Sequence, residues 1–230
     1  MSNFIPEDFG IETDYRKFIE SGIATENNLR ETISELYDVK KEEIVFTTGG
    51  SEAIFIAALY FRSFSKRALI PVPEYEPMFR APFSIGTKTF LVEPDEIGST
   101  FNHETDHVMM SNPNNPTGDG KLSENIKEIL ETNPEKLFID EAFKDFLFSK
   151  KPYTFQSDNP NLIASTTMTK FYGAGFLRLG WIFADKTIAK RIYELKMLTS
   201  GSLPIHSMWI GNQILQHRDL FVKNVKRKIS

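Results

Sequence analysis

The 230-residue sequence contains no cysteine, which excludes a disulfide framework, a zinc–thiolate site and a cysteine nucleophile. It has no long apolar run. The longest uncharged apolar run, Ala53–Phe61, falls far short of the roughly 20 residues that a membrane-spanning helix needs. It has no basic excess either: 27 Lys and Arg stand against 31 Asp and Glu, for a net charge of −4. That balance argues against a phosphate-backbone binder, and no nucleic-acid partner is expected. Histidine is scarce, with four residues. His103 and His107 have the i, i+4 spacing of helical metal ligands, but no metalloprotease-type Glu follows, so both are expected in solvent and no metal site is expected. His206 and His217 belong to no pattern. The start, Met1–Gly10, is polar and acidic and lacks the apolar core of a secretory signal. With the missing cysteines this sets the expectation of a cytoplasmic protein.

What is present is an ordinary globular composition, 40% hydrophobic with 13 glycines, which makes a disordered chain a poor reading. The length allows one large domain or two small ones. Short apolar runs recur at Ile44–Phe46, Ala68–Ile70, Thr89–Val92, Val108–Met110, Leu137–Ile139, Leu162–Ala164 and Trp181–Phe183. Runs apolar on both faces suit strands in the middle of a sheet. Between them lie helical patterns. One covers Ser51–Phe64. Another covers Ser123–Glu131, with Ser123 as N-cap. A third covers Asp185–Leu198, with Ile188, Ile192, Leu195 and Leu198 on one face. Alternating strand and helix signals predict an α/β fold, a sheet with helices on both faces. Residues 1–40 read as helix and loop, 41–200 as the large domain, and 201–230 as the start of a further helix. The basic end of that helix (Lys223, Lys226, Arg227, Lys228) reads as a solvated terminus.

Four segments stand where strands end, which is where ligands bind in open α/β sheets. Thr47-Thr48-Gly49-Gly50-Ser51 joins a strand to a helix; its glycines admit an anion and the helix start supplies free N–H groups. Ser111-Asn112-Pro113-Asn114-Asn115-Pro116-Thr117-Gly118 makes a rigid loop in which an Asn amide can donate to a ligand oxygen. Asp140 follows a buried run, and a buried carboxylate needs a cation or donors; a helix N-cap would serve it as well. Ser165-Thr166-Thr167-Met168-Thr169-Lys170, then Arg178, offers a hydroxyl-ringed lysine beside an arginine, a setting that can lower an amine pKa.

Taken in this order over about residues 28–220, the four segments resemble the fold-type I pyridoxal-phosphate (PLP) enzymes of the class I/II aminotransferase family. The resemblance implies that Lys170 forms a Schiff base with PLP, that Asp140 pairs with the pyridine nitrogen, and that Asn115 binds the ring 3-oxygen. It puts Gly50, Ser51, Thr167, Thr169 and Arg178 around the phosphate and Tyr75 on the face of the ring. It implies a mostly parallel seven-stranded sheet whose strand near Trp181 runs antiparallel, and a homodimer acting on a small amino-acid substrate. The strings Asp140–Phe146 and Thr169–Tyr172 are most similar to the histidinol-phosphate aminotransferase and threonine-phosphate decarboxylase branch.

The sequence departs from the family in three places. Phe143 stands where many members have a Tyr that donates to the 3-oxygen. The arm before Asn28 lacks the usual Tyr-Pro segment. Only the beginning of the smaller C-terminal domain is expected, and no Arg in the last fifty residues is expected to clamp a substrate carboxylate; Arg191, Arg218 and Arg227 read as outer helix positions. Transamination is the leading reading, with decarboxylation of a threonine-phosphate type or cofactor binding without turnover as alternatives.

Overall fold

The computed structural model describes residues 9–11, 14–22, 24–148 and 162–229. Seven strands form one sheet: β1 (Ile44–Thr47), β2 (Arg67–Pro71), β3 (Lys88–Val92), β4 (Asp106–Ser111), β5 (Leu137–Asp140), β6 (Ile163–Thr167) and β7 (Gly180–Phe183). Their spatial order is β1-β7-β6-β5-β4-β2-β3. β7 runs antiparallel to both neighbours and all other pairs are parallel. Each apolar run of the sequence has become a strand, and the β7 direction matches the expectation.

The helices are α1 (Tyr15–Ser21), α2 (Ala24–Tyr37), α3 (Gly50–Arg62), α4 (Glu76–Ser84), the short α5 (Ile97–Thr100), α6 (Glu124–Thr132), α7 (Lys186–Thr199), α8 (Ile205–Gln216) and α9 (Arg218–Ile229). Side-chain caps fix three of the starts, the first by the Asp14 carboxylate, which accepts from the Arg16 N–H at α1. The Ser123 hydroxyl accepts from the Ile126 N–H, and the Asp185 carboxylate accepts from the N–H groups of Thr187 and Ile188. Alternate strand residues feed opposite layers. Val45, Ile70, Met109, Phe138, Ile163 and Ile182 pack with α3 and α7. On the other face, Phe46, Ala164, Trp181 and Phe183 pack with α2 and α8, and Val108, Met110, Leu137 and Ile139 with α5 and α6. The result is helix, sheet, helix, with every polar strand terminus left at the rims.

Several expectations fail for physical reasons. β3 is the sheet's edge, so Phe90 and Leu91 are exposed rather than buried on both faces. Leu198 lies off the apolar stripe of α7 at 85% exposure. His107 is not in solvent: it sits in β4, fully buried, stacked on Phe61 at 4.4 Å, and burial pushes its pKa down to about 3. His103 is exposed, as expected. Arg218 is not on an outer helix face; it is buried against Asp145, whereas Arg191 and Arg227 are exposed. The apolar stretch Ile205–Leu215 mostly packs inside the chain, with Met208, Ile214 and Leu215 buried beside α2.

Residues 1–8 lie outside the described residues, so the reading of Met1–Gly10 and part of the 1–40 segment is not addressed. Among the described residues of 1–40 there is helix and loop and no strand.

Candidate active site

The strand registers bring the four segments to one rim of the sheet. Thr47 pairs with Gly180, Gly180 with Thr167, Ser165 with Asp140, and Asp140 with Ser111. Neighbouring strands lie about 4.8 Å apart, so these residues form one continuous row. Because β7 is antiparallel, its first residue joins the last residues of β1 and β6 there. Glu74 and Tyr75 follow β2 and extend the row.

At the left of the row is an anion cup. Gly49 has φ +77° and caps α3. A Cβ there would lie 2.8 Å from Arg178 Nη2, so only glycine lets the guanidinium come this close. Arg178 itself has φ +49°, and its guanidinium donates to the carbonyls of Gly175 (3.3 Å) and Thr48 (3.4 Å). By helix geometry the N–H groups of Gly50 and Ser51 have no intrahelical acceptor and carry the positive end of the α3 dipole. A Cβ on Gly50 would come 3.6 Å from Thr167 Cγ2 and 4.0 Å from Asp140 Oδ1. The hydroxyls of Thr167 and Thr169 lie 3.0 Å apart. The structure thus joins Gly50, Thr167, Thr169 and Arg178. Ser51 is exposed at the first turn of α3 and also faces a surface hollow bordered by α4.

At the centre is Asp140, which is not a helix cap. It is 6% exposed and its Oδ1 accepts from Ser165 Oγ at 2.7 Å. Burial pushes its pKa up to about 7; the Ser165 bond works against this, nearby Glu74 and Glu141 add to it, and Lys170 subtracts. A desolvated carboxylate with two acids around it lacks a cationic partner of full strength. Glu74 accepts from the Ser111 N–H (2.7 Å), the Ser111 hydroxyl and the Tyr75 N–H (2.7 Å). Burial still leaves the Glu74 pKa raised.

At the right, the Asn115 N–H donates to Ser111 Oγ at 2.9 Å. Asn115 and Phe143 border a cavity of about 220 Å³ that also touches Phe146 and Leu147. Lys170 is exposed, with Nζ 5.2 Å from the centre of the Phe143 ring. The departure at Phe143 therefore faces the lysine itself and offers it no hydroxyl. Tyr75 stands at the entry of α4, 38% exposed, with no ring–ring contact among the described residues. Sequence reasoning gave Glu74, Ser165 and Glu141 no role. Ser165 stood in the hydroxyl-rich run, but its bond to Asp140 depends on strand pairing, and the Glu74–Asp140 interaction on sheet order.

The model for aminotransferase class I and II matches residues 20–230. The chain belongs to the class I and II aminotransferase family. It is 32% identical over 181 residues to histidinol-phosphate aminotransferase 2 of Carboxydothermus hydrogenoformans, covering 73% of this chain and 50% of that protein. The histidinol-phosphate aminotransferase of Clostridium acetobutylicum superposes with a TM-score of 0.75 at 23% identity, over 90% of this chain and 66% of that one. L-threonine-O-3-phosphate decarboxylase from Porphyromonas gingivalis does so at 0.71 and 19%, over 96% and 68%. The chain thus spans about half the length of the curated relative and two thirds of these structures. The family and its structural neighbours imply PLP as the cofactor, and the residues fit that group. An unbalanced buried carboxylate suits a pyridinium nitrogen, the cup at Arg178 and α3 suits a phosphate, and the exposed amine of Lys170 is near enough to Asp140 to act on its charge. Among the described residues no cluster of metal-ligating side chains is present, and no helix is long and apolar enough to cross a membrane.

Proposed function

We propose that this chain holds PLP in the row between Arg178 and Tyr75, and that the protein transfers an amino group from an amino acid. The observation that carries the reading is Asp140: a carboxylate buried beside two other acids, with a pKa near 7, is arranged for a cation that the protein itself does not supply. When bound, PLP supplies an electron sink at its protonated ring and an aldehyde that condenses with amines. The chain's own groups do the rest. Asp140 holds the proton at the ring nitrogen. Arg178 and the α3 N-terminus bind the phosphate, with charge-assisted bonds worth roughly 1.5–3 kcal/mol each. Thr167 and Thr169 complete the cup, with Gly50 giving room and Ser51 an N–H. Asn115 donates to the ring 3-oxygen, Tyr75 covers the ring face, and Lys170 is the covalent anchor that moves the substrate proton once released.

Phe143 removes one donor from the 3-oxygen side, so proton transfer near the ring depends more heavily on Asn115. A carboxylate clamp is expected from outside the described C-terminal helices, since Arg218 is committed to Asp145.

The test is direct. Purified chain plus PLP should show a visible band that borohydride bleaches, and Lys170→Ala should show neither band nor retained label. An amino acid should then convert bound PLP to its amine form. Release of CO₂ instead would favour the second reading, decarboxylation, which the similarity to the Porphyromonas decarboxylase supports. Cofactor bound with neither outcome would leave a binding protein. We further propose the 41–200 segment as the cofactor domain, a homodimer and a cytoplasmic location. The exposed Phe176, within the Lys170–Arg178 loop, supports the dimer. Sedimentation of a PLP-loaded monomer at micromolar concentration would count against it.

A further inference from the structure

Behind the row lies a set of buried ionisable side chains that the proposed chemistry does not use. Glu141, Lys144 and Asp145 follow Asp140, the last two in a 3-10 turn at Lys144–Leu147. Tyr172 stands two residues after Lys170. Tyr37 ends α2, and Arg218 begins α9. All six are less than 5% exposed.

The set is closely connected. Arg218 Nη2 donates to Asp145 Oδ1 at 3.2 Å. Lys144 Nζ lies 3.7 Å from Glu141 Oε2 and 3.9 Å from the centre of the Tyr37 ring. The Tyr172 hydroxyl lies near Tyr37 and Arg218 without completing a full hydrogen bond to either. Two acids and two bases balance. Burial raises both tyrosine pKa values and lowers that of Lys144. Aromatic packing joins the same segments: Phe171 meets Phe146 edge-on at 5.3 Å, and Tyr172 meets Phe221 of α9 at 5.4 Å.

Four charges out of water are a poor way to gain stability, because apolar residues of the same size commonly do as well or better. What such a set supplies is a fixed arrangement. Here it joins the turn after Asp140 to the loop of Lys170, and fastens both to α9. A slip of the Asp145 turn carries Asp140 with it, and a slip of Tyr172 carries Lys170.

We infer that Arg218 and Asp145 are positioning residues, which lock the Asp140 turn against the Lys170 loop and so hold the carboxylate and the amine at the separation a pyridine cofactor requires. The inference rests on the PLP reading of the row. Neither residue touches the cofactor in this account; they act through Asp140 and Lys170.

The test uses the full 230-residue chain. The double variant Arg218→Met with Asp145→Asn removes both charges while keeping shape, so it is expected to fold. Its dissociation constant for PLP, read by absorbance, should rise at least tenfold. Backbone amides of residues 168–172 in the cofactor-free chain should exchange with deuterium at least tenfold faster. Arg218→Lys, which keeps the charge, should recover to within threefold of wild type in both readouts. Ile129→Val, in the separate core under α6, lowers stability without touching the set and should leave both unchanged. If the double variant does not fold, Arg218→Gln with Asp145→Asn, which also removes both charges but keeps a hydrogen-bonding pair, is read in the same way, with the same expectation.

Wild-type exchange at 168–172 with wild-type PLP affinity in the double variant would overturn the inference. So would equal changes in Ile129→Val. If the wild type takes up no PLP at all, the cofactor reading fails, while the exchange comparison still decides whether the set positions the loop.

Discussion

Asp106 and Asp140 are both buried aspartates on adjacent parallel strands, one at the start of β4 and one at the end of β5. Asp106 is satisfied. Arg67 grips both its oxygens, and the Thr105 hydroxyl and the Asn102 N–H add bonds. Burial alone would raise its pKa, but these partners outweigh it and hold the group below its ordinary value. Asp140 has one hydroxyl partner and two acidic neighbours, and burial raises it to about 7. At the amino rim of the sheet the buried carboxylate is matched by its partners, and at the carboxyl rim it is not. Functional sites are where proteins tolerate such conflicts.

The contrast can be broken at several points. The largest effect is expected from Lys170→Ala. It should abolish borohydride-fixed label completely, yet shift the unfolding free energy by less than about 0.5 kcal/mol, because the side chain is exposed. A large drop in melting temperature would show that the lysine is structural.

Next comes pH. His107, with a folded pKa of about 3 against roughly 6.5 unfolded, binds fewer protons folded than unfolded, so it makes stability rise from pH 3 to 6.5. Asp140, near 7 folded against roughly 3.9 unfolded, binds more protons folded, so it makes stability fall from pH 4 to 7. The two oppose each other between about pH 4 and 6.5, and the cofactor-free chain should show a flat profile there in urea melts. His107→Gln should leave a decline of the order of 1 kcal/mol per pH unit. A rising profile in that variant would contradict the assignment of Asp140.

Asp106→Asn should cost about 1.5–3 kcal/mol, the scale of hydrogen bonds to a charged group, moderated because Arg67 can reach water. PLP affinity should hold, since the change lies at the opposite rim. Asp140→Asn should cost nothing: the cofactor-free chain at pH 8 should be unchanged or up to about 1 kcal/mol more stable, because a repelled charge is gone. Clear destabilisation by calorimetry would mean that Asp140 is an ordinary structural residue.

Much of this was legible in the sequence. The seven apolar runs fixed the strands because buried strands leave little ambiguity, and Asp185 and Ser123 marked helix starts through capping chemistry. The Lys170–Arg178 spacing and the Gly49-Gly50 turn pointed to the cup, because local backbone geometry forms it. What the sequence could not show depended on pairing between distant segments. Ser165 meets Asp140 only through β5–β6 register. Glu74 nears Asp140 only because β2 lies one strand beyond β4. His107 was misplaced because a polar approach, Asn102–Asp106, hid the first residues of β4. Arg218 was misplaced because a charged residue at a helix start gives no hint that a distant Asp145 is buried to receive it.

In the proposed site Asp140 is the group that the cofactor's ring nitrogen neutralises. Carboxyl ¹³C NMR with labelled aspartate, assigned by Asp140→Asn, measures this directly. Titration near pH 7 is expected in the cofactor-free chain, with a fall below about pH 5 when PLP is bound, since the ring nitrogen brings the missing charge. Titration below pH 4 without PLP, or an unchanged midpoint with PLP bound, would contradict it.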